Sequence, residues 1–208
     1  MFLTLRKSAL TEEFDYNFIK YALREYKHPR VKINDLLKKG KIIRVKKGLY
    51  IFGEKLSVEP YSKETLANLI YGPSYISLEY ALSFYGLFPE HVETVTSVTN
   101  KRKKKFHTPV GDFSYTYINP SIYPWGITLY NIDKYHSILI ATKEKALADI
   151  FYLSDDTIGE DEIETYLFED MRLDMEDFRK FNLRKLKKLS QVYGDKVKSL
   201  YKFLEKVK

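Results

Sequence analysis

Hydrophobic and polar residues near the N-terminus follow first a helical and then an alternating spacing. Residues 15–26 place their apolar side chains near one helical face, which predicts a first helix. Pro29 and Gly40 frame a second helix, because proline fits the first helical turn and glycine fits the position just past the last turn. Residues 43–46 then alternate apolar with basic, and residues 47–48 predict the turn of a short basic hairpin.

The middle of the chain combines helical and strand patterns. The predicted helices span residues 62–71, 77–85 and 142–153, and the predicted strands span residues 91–100, 113–118, 127–132 and 137–141. Each helix begins at a serine or threonine that can cap it. We therefore expect a small, mostly antiparallel sheet that is covered by helices.

The C-terminal part has the apolar spacing of a helical tail. Between Leu183 and Leu204 the apolar residues recur every three or four positions, and Gly194 predicts a break into two helices. The predicted fold class is α+β. A winged helix-turn-helix occupies residues 1–55, and a mixed α/β domain that is helical from about residue 154 occupies residues 56–208.

The net charge of +7 is distributed unevenly along the chain. Residues 1–55 carry 14 lysines and arginines against 6 aspartates and glutamates, while residues 56–153 carry nine of each. Residues 154–177 carry 1 basic residue against 11 acidic ones, and residues 178–208 carry 11 against 2. We expect the last two segments to lie against each other, because their charges are opposite.

Several kinds of chemistry are excluded or not indicated. The chain has no cysteine, which excludes disulfides, thiolate nucleophiles and cysteine-ligated metal centres. No phosphate-binding loop, dinucleotide fingerprint or Gly-x-Ser-x-Gly motif occurs. The histidines (His28, His91, His107 and His136) lack the spacing of a metal site. The only Glu-x-Lys, residues 25–27, lies in the helix-turn region rather than on a strand, so no nuclease is indicated. We expect no enzyme activity and no metal.

The chain also lacks the patterns of membrane insertion and export. Its longest uncharged stretch, residues 113–132, contains prolines and a glycine and therefore predicts strands and a turn rather than a membrane helix. The N-terminal segment MFLTLRKSAL has no apolar stretch long enough for a signal peptide. We expect a cytoplasmic protein without a membrane partner.

A helix, a turn, a basic helix and a basic hairpin in this order predict DNA binding. A helix fits the major groove, and lysines on its exposed face and on the hairpin can reach phosphates of the flanking strands. A small helical subdomain with a solvated lysine face is the alternative.

A second basic segment interrupts the strands of the middle region. It consists of Lys101, Arg102, Lys103, Lys104 and Lys105. Because it lies between two predicted strands, a solvated loop is the default interpretation, and a second contact to nucleic acid is the alternative.

Three segments resemble one protein family. The stretch PRVKINDLLKKGKIIRVKKGLYIFG resembles the recognition helix and wing of the AbiEi-type antitoxins, which belong to the AbiE abortive-infection toxin–antitoxin systems. The block LANLIYGPSYISLEYALSFYGLFPEHVETVTSVTNKRKKKFHTPVGDFSYTYI resembles the opening of its effector domain, and IATKEKALADIFYL resembles the next recurring block. The resemblance covers about residues 14–153.

The resemblance implies a DNA-binding autorepressor and antitoxin. Such proteins bind repeats in their own promoter, and their toxin is a nucleotidyltransferase-like protein with which they need not form a stable complex. No cofactor is implied. The resemblance places the DNA contacts on the recognition helix and the wing, at Arg30, Lys32, Asn34, Lys38, Lys39, Arg44, Lys46 and Lys47. Asn34 and Arg30 suit base edges, and the lysines suit phosphates.

Two other functions stay open at the sequence level. The middle domain could be a protein-interaction module, with the basic N-terminal part incidental to it. A nucleic-acid-processing enzyme is the weaker alternative, because no carboxylate–lysine signature of a nuclease lies on a strand.

Overall fold

The computed structural model describes residues 2–90, 92–154 and 158–207, which form helices and two β-sheets. The elements of the N-terminal part are α1 (Phe2–Lys7), β1 (Glu13–Asp15), α2 (Tyr16–Ala22), α3 (Pro29–Lys38), β2 (Ile42–Lys46) and β3 (Leu49–Phe52). The strands pair in the order β1-β3-β2, and both pairs are antiparallel. The predicted helix after Pro29 and the predicted hairpin are confirmed.

Local side-chain chemistry accounts for these N-terminal elements. Asp15 caps α2 by accepting a hydrogen bond of 2.7 Å from the backbone N–H of Phe18. Pro29 stands in the first turn of α3, and Gly40 follows that helix with a φ of +61°. The first helix is shorter than the predicted 15–26, because it ends at Ala22 and hydrogen-bonded turns follow.

The second part of the chain builds the larger sheet. Its elements are α4 (Lys63–Ile70), β4 (Ser74–Ile76), α5 (Leu78–Phe84), β5 (Val95–Thr99), β6 (Lys104–Thr108), β7 (Gly111–Tyr117), β8 (Ile127–Asn131), β9 (Ser137–Ala141) and α6 (Lys143–Leu153). The strand order among the described residues is β6-β7-β5-β4-β9-β8. The pairs β5–β7 and β4–β9 are parallel, and the other pairs are antiparallel.

The expectation of a small, mostly antiparallel sheet in the middle region is wrong in part, because the sheet there has six strands among the described residues and two of its strand pairs are parallel. The small antiparallel sheet of the structure is the N-terminal one. Strand β6 was not predicted, and it takes up Lys104 and Lys105 from the segment expected to be a loop. It forms one edge of the sheet, and its side chains are mostly polar and exposed. The strand therefore lacks the hydrophobic alternation from which it could have been predicted.

The helices at the C-terminus pack against α6. Short helical turns occupy Glu160–Glu162, α7 (Ile163–Thr165), Tyr166–Asp170 and Met175–Lys180, and they lead into α8 (Leu183–Tyr193) and α9 (Asp195–Val207). The predicted break at Gly194 is confirmed. Lys202 of α9 lies 3.7 Å from a carboxylate oxygen of Glu160, so the acidic and basic segments do meet there. Part of the predicted acidic segment, residues 155–157, lies outside the described residues, as does His91 of the predicted strand 91–100.

The hairpin β2–β3 belongs to two hydrophobic clusters at once. On one of its faces Ile42, Tyr50 and Phe52 pack with α1, α2 and α3. On the other face Val45, Leu49 and Ile51 join the core of the larger sheet. Alternation of side chains along each strand produces this division. The hairpin thereby fixes the N-terminal helices against the rest of the chain.

Substitution of Leu36 by alanine tests the packing of α3. Leu36 is 1% exposed in the N-terminal cluster. We expect Leu36→Ala to lower the free energy of unfolding by about 2–5 kcal/mol, because it removes buried methyl groups and leaves a cavity. Urea denaturation followed by circular dichroism measures this change. The control is Leu10→Ala at a 74% exposed leucine, with an expected change within about 0.5 kcal/mol. Equal effects of the two variants would contradict the burial of α3.

Candidate nucleic-acid interface

A groove between α3 and the hairpin brings predicted DNA contacts together. It has a volume of about 660 Å³. Arg30 and Asn34 enter it from α3, and Arg44 and Lys47 enter it from the hairpin. The remaining lining residues are Tyr16, Ile33, Leu37, Gly48 and Tyr50. No carboxylate lines the groove within the described part of the chain, so its charged groups are all cationic.

The helical spacing of α3 explains why Arg30 and Asn34 face the groove. They lie four residues apart and therefore occupy the same face of the helix. Both are exposed, whereas Ile33 and Leu36 are buried on the adjoining face. Arg44 reaches the groove because it shares the hairpin face of Tyr50, its partner across the strands.

The lysines of α3 have a different electrostatic environment. Lys32 and Lys39 both pair with Asp35, with N–O distances of 3.3 Å and 2.8 Å. The hydrogen bond from Lys39 is the largest of the effects that lower the pKa of Asp35. Lys38 is exposed in the last turn of the helix. Lys32 and Lys39 would therefore have to leave Asp35, or share it, in order to contact a phosphate.

Lys46 lies on the other side of the hairpin. The pairing register shifts between Arg44 and Lys46, which is a bulge that redirects the side chains beyond it. The half-buried ammonium group of Lys46 donates a hydrogen bond to the carbonyl of Ile70 in α4. Burial and the nearby charge of Lys104 lower the pKa of Lys46. Lys46 stays a predicted phosphate contact, but the structure does not bring it into the groove.

The second predicted basic segment is divided between a loop and an edge strand. Residues 101–103 lie in the loop before β6, and Lys104 and Lys105 lie in β6 itself. All of these side chains are exposed. Of these charges, that of Lys104 is close enough to Lys46 to contribute to the lowering of its pKa.

The groups in the groove are suited to the recognition of phosphates and base edges. Guanidinium groups can donate two parallel hydrogen bonds to a phosphate or to guanine, and an asparagine amide can pair with adenine.

The described residues contain no group of three or more histidines, aspartates or glutamates that could hold a metal ion. No helix in that part of the chain is long and apolar enough to cross a membrane.

Two adjacent glutamates fix the N-terminal part to the larger domain. Glu12 accepts hydrogen bonds of 3.1 Å from the backbone N–H groups of Val58 and Glu59. The side chain of Glu13 accepts a hydrogen bond from the N–H of Ser62. Both glutamates are buried. Buried glutamates carry no hydrophobic signal, so the sequence pattern does not indicate this pair.

Glu13 also faces a buried histidine. Its Oε2 atom lies 3.0 Å from Nε2 of His136, and the other ring nitrogen lies 2.6 Å from a carboxylate oxygen of Asp133. Burial lowers the pKa of His136, but the hydrogen bonds to Asp133 and Glu13 outweigh burial and raise it above the ordinary value. The protonated imidazole, with two donors, is the form that both carboxylates favour.

We expect the contribution of His136 to stability to depend on pH. Because its folded-state pKa is raised, the stabilisation is fully present below the unfolded-state value of about 6.5 and is lost as the pH rises through the folded-state value. His136→Gln should therefore lower the free energy of unfolding more at pH 5.5 than at pH 9. Urea denaturation at both pH values measures this difference.

The control for this prediction is His107→Gln. His107 is exposed and lies 2.9 Å from Asp112, so its ion pair is screened by solvent and should contribute little. If His136→Gln lowers the free energy of unfolding by the same amount at both pH values, His136 acts through packing alone.

A buried polar network holds the larger domain together. Lys145 and Asp149 of α6 are both fully buried and lie 3.4 Å apart. Asp149 also accepts hydrogen bonds from Tyr75, Ser77 and Tyr193. Burial raises the pKa of Asp149 and lowers that of Lys145. The network ties α6 to β4 and α8, and it encloses its charges away from solvent.

We expect Lys145→Met to lower the free energy of unfolding by about 3–5 kcal/mol, because it leaves the carboxylate of Asp149 buried without its cation. The double variant Lys145→Met/Asp149→Asn should recover part of this loss, since it removes both charges. Thermal and urea denaturation measure both. A double variant that loses at least as much stability as Lys145→Met alone would contradict an interaction between the two charges.

A search with protein-family models finds no match to this chain, and a search of curated proteins finds none either.

Proposed function

We propose that this protein is a DNA-binding autorepressor whose N-terminal part is a winged helix-turn-helix. The observation that carries the proposal is the groove in which Arg30, Asn34, Arg44 and Lys47 face one another from a helix and the adjacent hairpin. We further propose, from the resemblance to AbiEi-type antitoxins, that it acts as the antitoxin of a nucleotidyltransferase-like toxin. Its action would be occupancy of promoter DNA, without catalysis.

The order of the N-terminal elements supports this proposal. A strand separates α1 from α2, α3 follows α2 after a short turn, and a basic hairpin follows α3. A helix-turn-helix protein places the second helix of such a pair in the major groove. The hairpin then stands beside the DNA as a wing.

The dimensions and charges of the interface suit a duplex. An α-helix with its side chains is about 10–12 Å wide, and the major groove of B-DNA is about 12 Å wide. With α3 in that groove, Asn34 and Arg30 would face base edges. Arg44 and Lys47 on the hairpin and Lys38 in the last turn would face phosphates. Lysine at such positions acts as a point charge, so it adds affinity rather than base discrimination.

The test is a titration of the protein with DNA from immediately upstream of its gene and with a shuffled duplex, each at two salt concentrations. We expect tighter, salt-sensitive binding to the upstream DNA. Asn34→Ala should cost about 1–3 kcal/mol on the preferred DNA and little on the shuffled duplex. Lys47→Ala should weaken binding to both duplexes and reduce the salt slope by about one.

The matched control is Lys187→Ala, an exposed lysine on α8 that does not line the groove. It should leave the affinity unchanged. Equal affinity of the wild-type protein for both duplexes would refute autorepression. Equal losses on both duplexes for Asn34→Ala would refute its role in reading a base. If DNA binding holds, co-expression with the toxin encoded beside the gene tests the antitoxin role.

A further inference from the structure

The two edge strands of the larger sheet differ in character. Among the described residues these edge strands are β6 and β8. Strand β6 carries Lys104 and Lys105, and lysines on an edge discourage pairing with another chain. Strand β8 carries no charge and no proline, and its register with β9 runs without a bulge. The outer edge of β8 therefore lacks the devices that often keep an edge strand from pairing.

The hydrogen bonds of Leu139 in β9 show which backbone groups of β8 point outward. The side chain of Asn68 in α4 accepts a hydrogen bond of 2.7 Å from the N–H of Leu139 and donates one of 3.3 Å to its carbonyl. Both groups of Leu139 thus point away from β8, so Leu139 and the opposite residue, Leu129, form a non-hydrogen-bonded pair. The N–H and C=O of Leu129 therefore point to the open edge. By alternation, those of Ile127 and Asn131 do so as well.

The hairpin β8–β9 is fixed at both of its ends. The N–H of Thr142 donates a hydrogen bond of 2.8 Å to the carbonyl of Gly126, and that of Ile132 donates one of 2.9 Å to the carbonyl of His136. Both bonds agree with the outward direction of Leu129, because Gly126 and Ile132 lie an odd number of positions from it. An edge that is already held in the strand conformation loses little freedom when it pairs.

Two exposed leucines lie side by side on one face of this hairpin. Leu129 is 64% exposed and Leu139 is 41% exposed. Residues directly opposite each other in antiparallel strands project from the same face. On the other face Tyr130 packs against Phe84 of α5, with ring centroids 5.0 Å apart. The leucines form an apolar row that reaches the open edge, and a further strand there would remove apolar surface from water.

A second copy of β8 is complementary to this edge. Two copies that run antiparallel about a twofold axis at Leu129 place each Leu129 opposite the other, and each Ile127 opposite Asn131 of the second copy. All of these residues point their backbone groups at the open edge, so each pair can exchange both hydrogen bonds. The apolar row then continues across the axis, from Leu139 and Leu129 of one copy to Leu129 and Leu139 of the second copy.

The distribution of charge favours a second copy over an unlike partner. A twofold axis brings the groups next to it close to their own equivalents, so a charge at the centre of the strand would face the same charge. Strand β8 has none, although the chain has a net charge of +7. Asp133 and Lys134 in the adjoining turn would lie opposite residues 124–125 of the second copy, which are uncharged. No like charges meet in this pairing.

We propose that two copies of this protein associate through the open edges of β8 and join their larger sheets into one continuous sheet. The interface combines a backbone hydrogen-bond ladder with the row of leucines. The proposal is independent of DNA binding, since it uses neither α3 nor the basic hairpin β2–β3.

The first test compares Leu129→Lys with the matched control Leu10→Lys by sedimentation velocity over a series of protein concentrations. Leu10 is 74% exposed, so both variants replace an exposed leucine by the same charged residue. We expect the wild-type protein and the control to form dimers. Leu129→Lys should raise the dimer dissociation constant by about tenfold or more, because it sets two like charges opposite each other. Thermal denaturation checks that both variants remain folded.

The second test needs no substitution and measures amide hydrogen exchange of the wild-type protein at low and high concentration. The N–H groups of Thr128 and Tyr130 point towards β9 and should be protected at both concentrations. Those of Ile127, Leu129 and Asn131 should become protected only at the high concentration, at which dimers form. Protection that alternates along the strand in this way is specific to pairing at the edge of β8.

Three results would overturn the proposal. One is a wild-type protein that stays monomeric at about 1 mM, a concentration at which even weak dimers form. Another is an equal dissociation constant for Leu129→Lys and Leu10→Lys. The third is a dimer in which the exchange of the Leu129 amide does not slow, because a different surface would then form the contact.

Discussion

The alternation of side chains in one short hairpin is the constraint on which the arrangement of this protein depends. Strands expose successive residues on opposite faces, and here both faces of β2–β3 are covered. Ile42 and Phe52 belong to the N-terminal cluster, while Val45 and Ile51 belong to the core of the larger sheet. A one-residue shift in register would exchange the two sets. The same strands therefore fix both where α3 lies and how it is oriented relative to the sheet.

Polar groups complete this arrangement where hydrophobic packing ends. Glu12 and Glu13 bind backbone N–H groups of the segment that leads into α4, and His136 bonds to Glu13 from the loop between β8 and β9. Within the larger domain Asp149 receives hydrogen bonds from side chains on separate elements. Hydrogen bonds to these buried groups offset the cost of removing them from water, although Oε2 of Glu12 has no hydrogen-bond partner among the described residues. Residues 56–153 have no net charge, but they contain the buried ion pair of Lys145 and Asp149 and the exposed basic residues 101–105.

The sequence predicts the local elements better than their assembly. Pro29, Gly40 and Gly194 mark helix boundaries because their backbone preferences act locally, and the strand 137–141 and the helix after Thr142 are found as predicted. Strand β6 escapes prediction because exposed lysines at a sheet edge resemble a loop. The parallel pairs of the larger sheet depend on contacts between distant segments, which no local pattern encodes.

The candidate interface shows the same division. Spacing along α3 is enough to place Arg30 and Asn34 on one face, and both line the groove. The position of Lys46 depends on a bulge, which alternation alone cannot predict. The sequence does not predict the network around Asp149, because its members lie far apart in the chain and none of them carries a recognisable pattern on its own.

If α3 reads DNA as proposed, the pairing of Asp35 with Lys32 and Lys39 has a consequence for how the protein would search a genome. A helix whose cations are already occupied by its own carboxylate gains less from random phosphates, so its residence on nonspecific DNA shortens. At the correct site the base contacts add to the same reduced affinity for phosphates. Genomes offer about 10⁶–10⁹ competing sites, and the ratio between the two affinities then determines occupancy more than either affinity does. An acidic residue in the middle of a DNA-reading helix can in this way increase selectivity at the expense of strength.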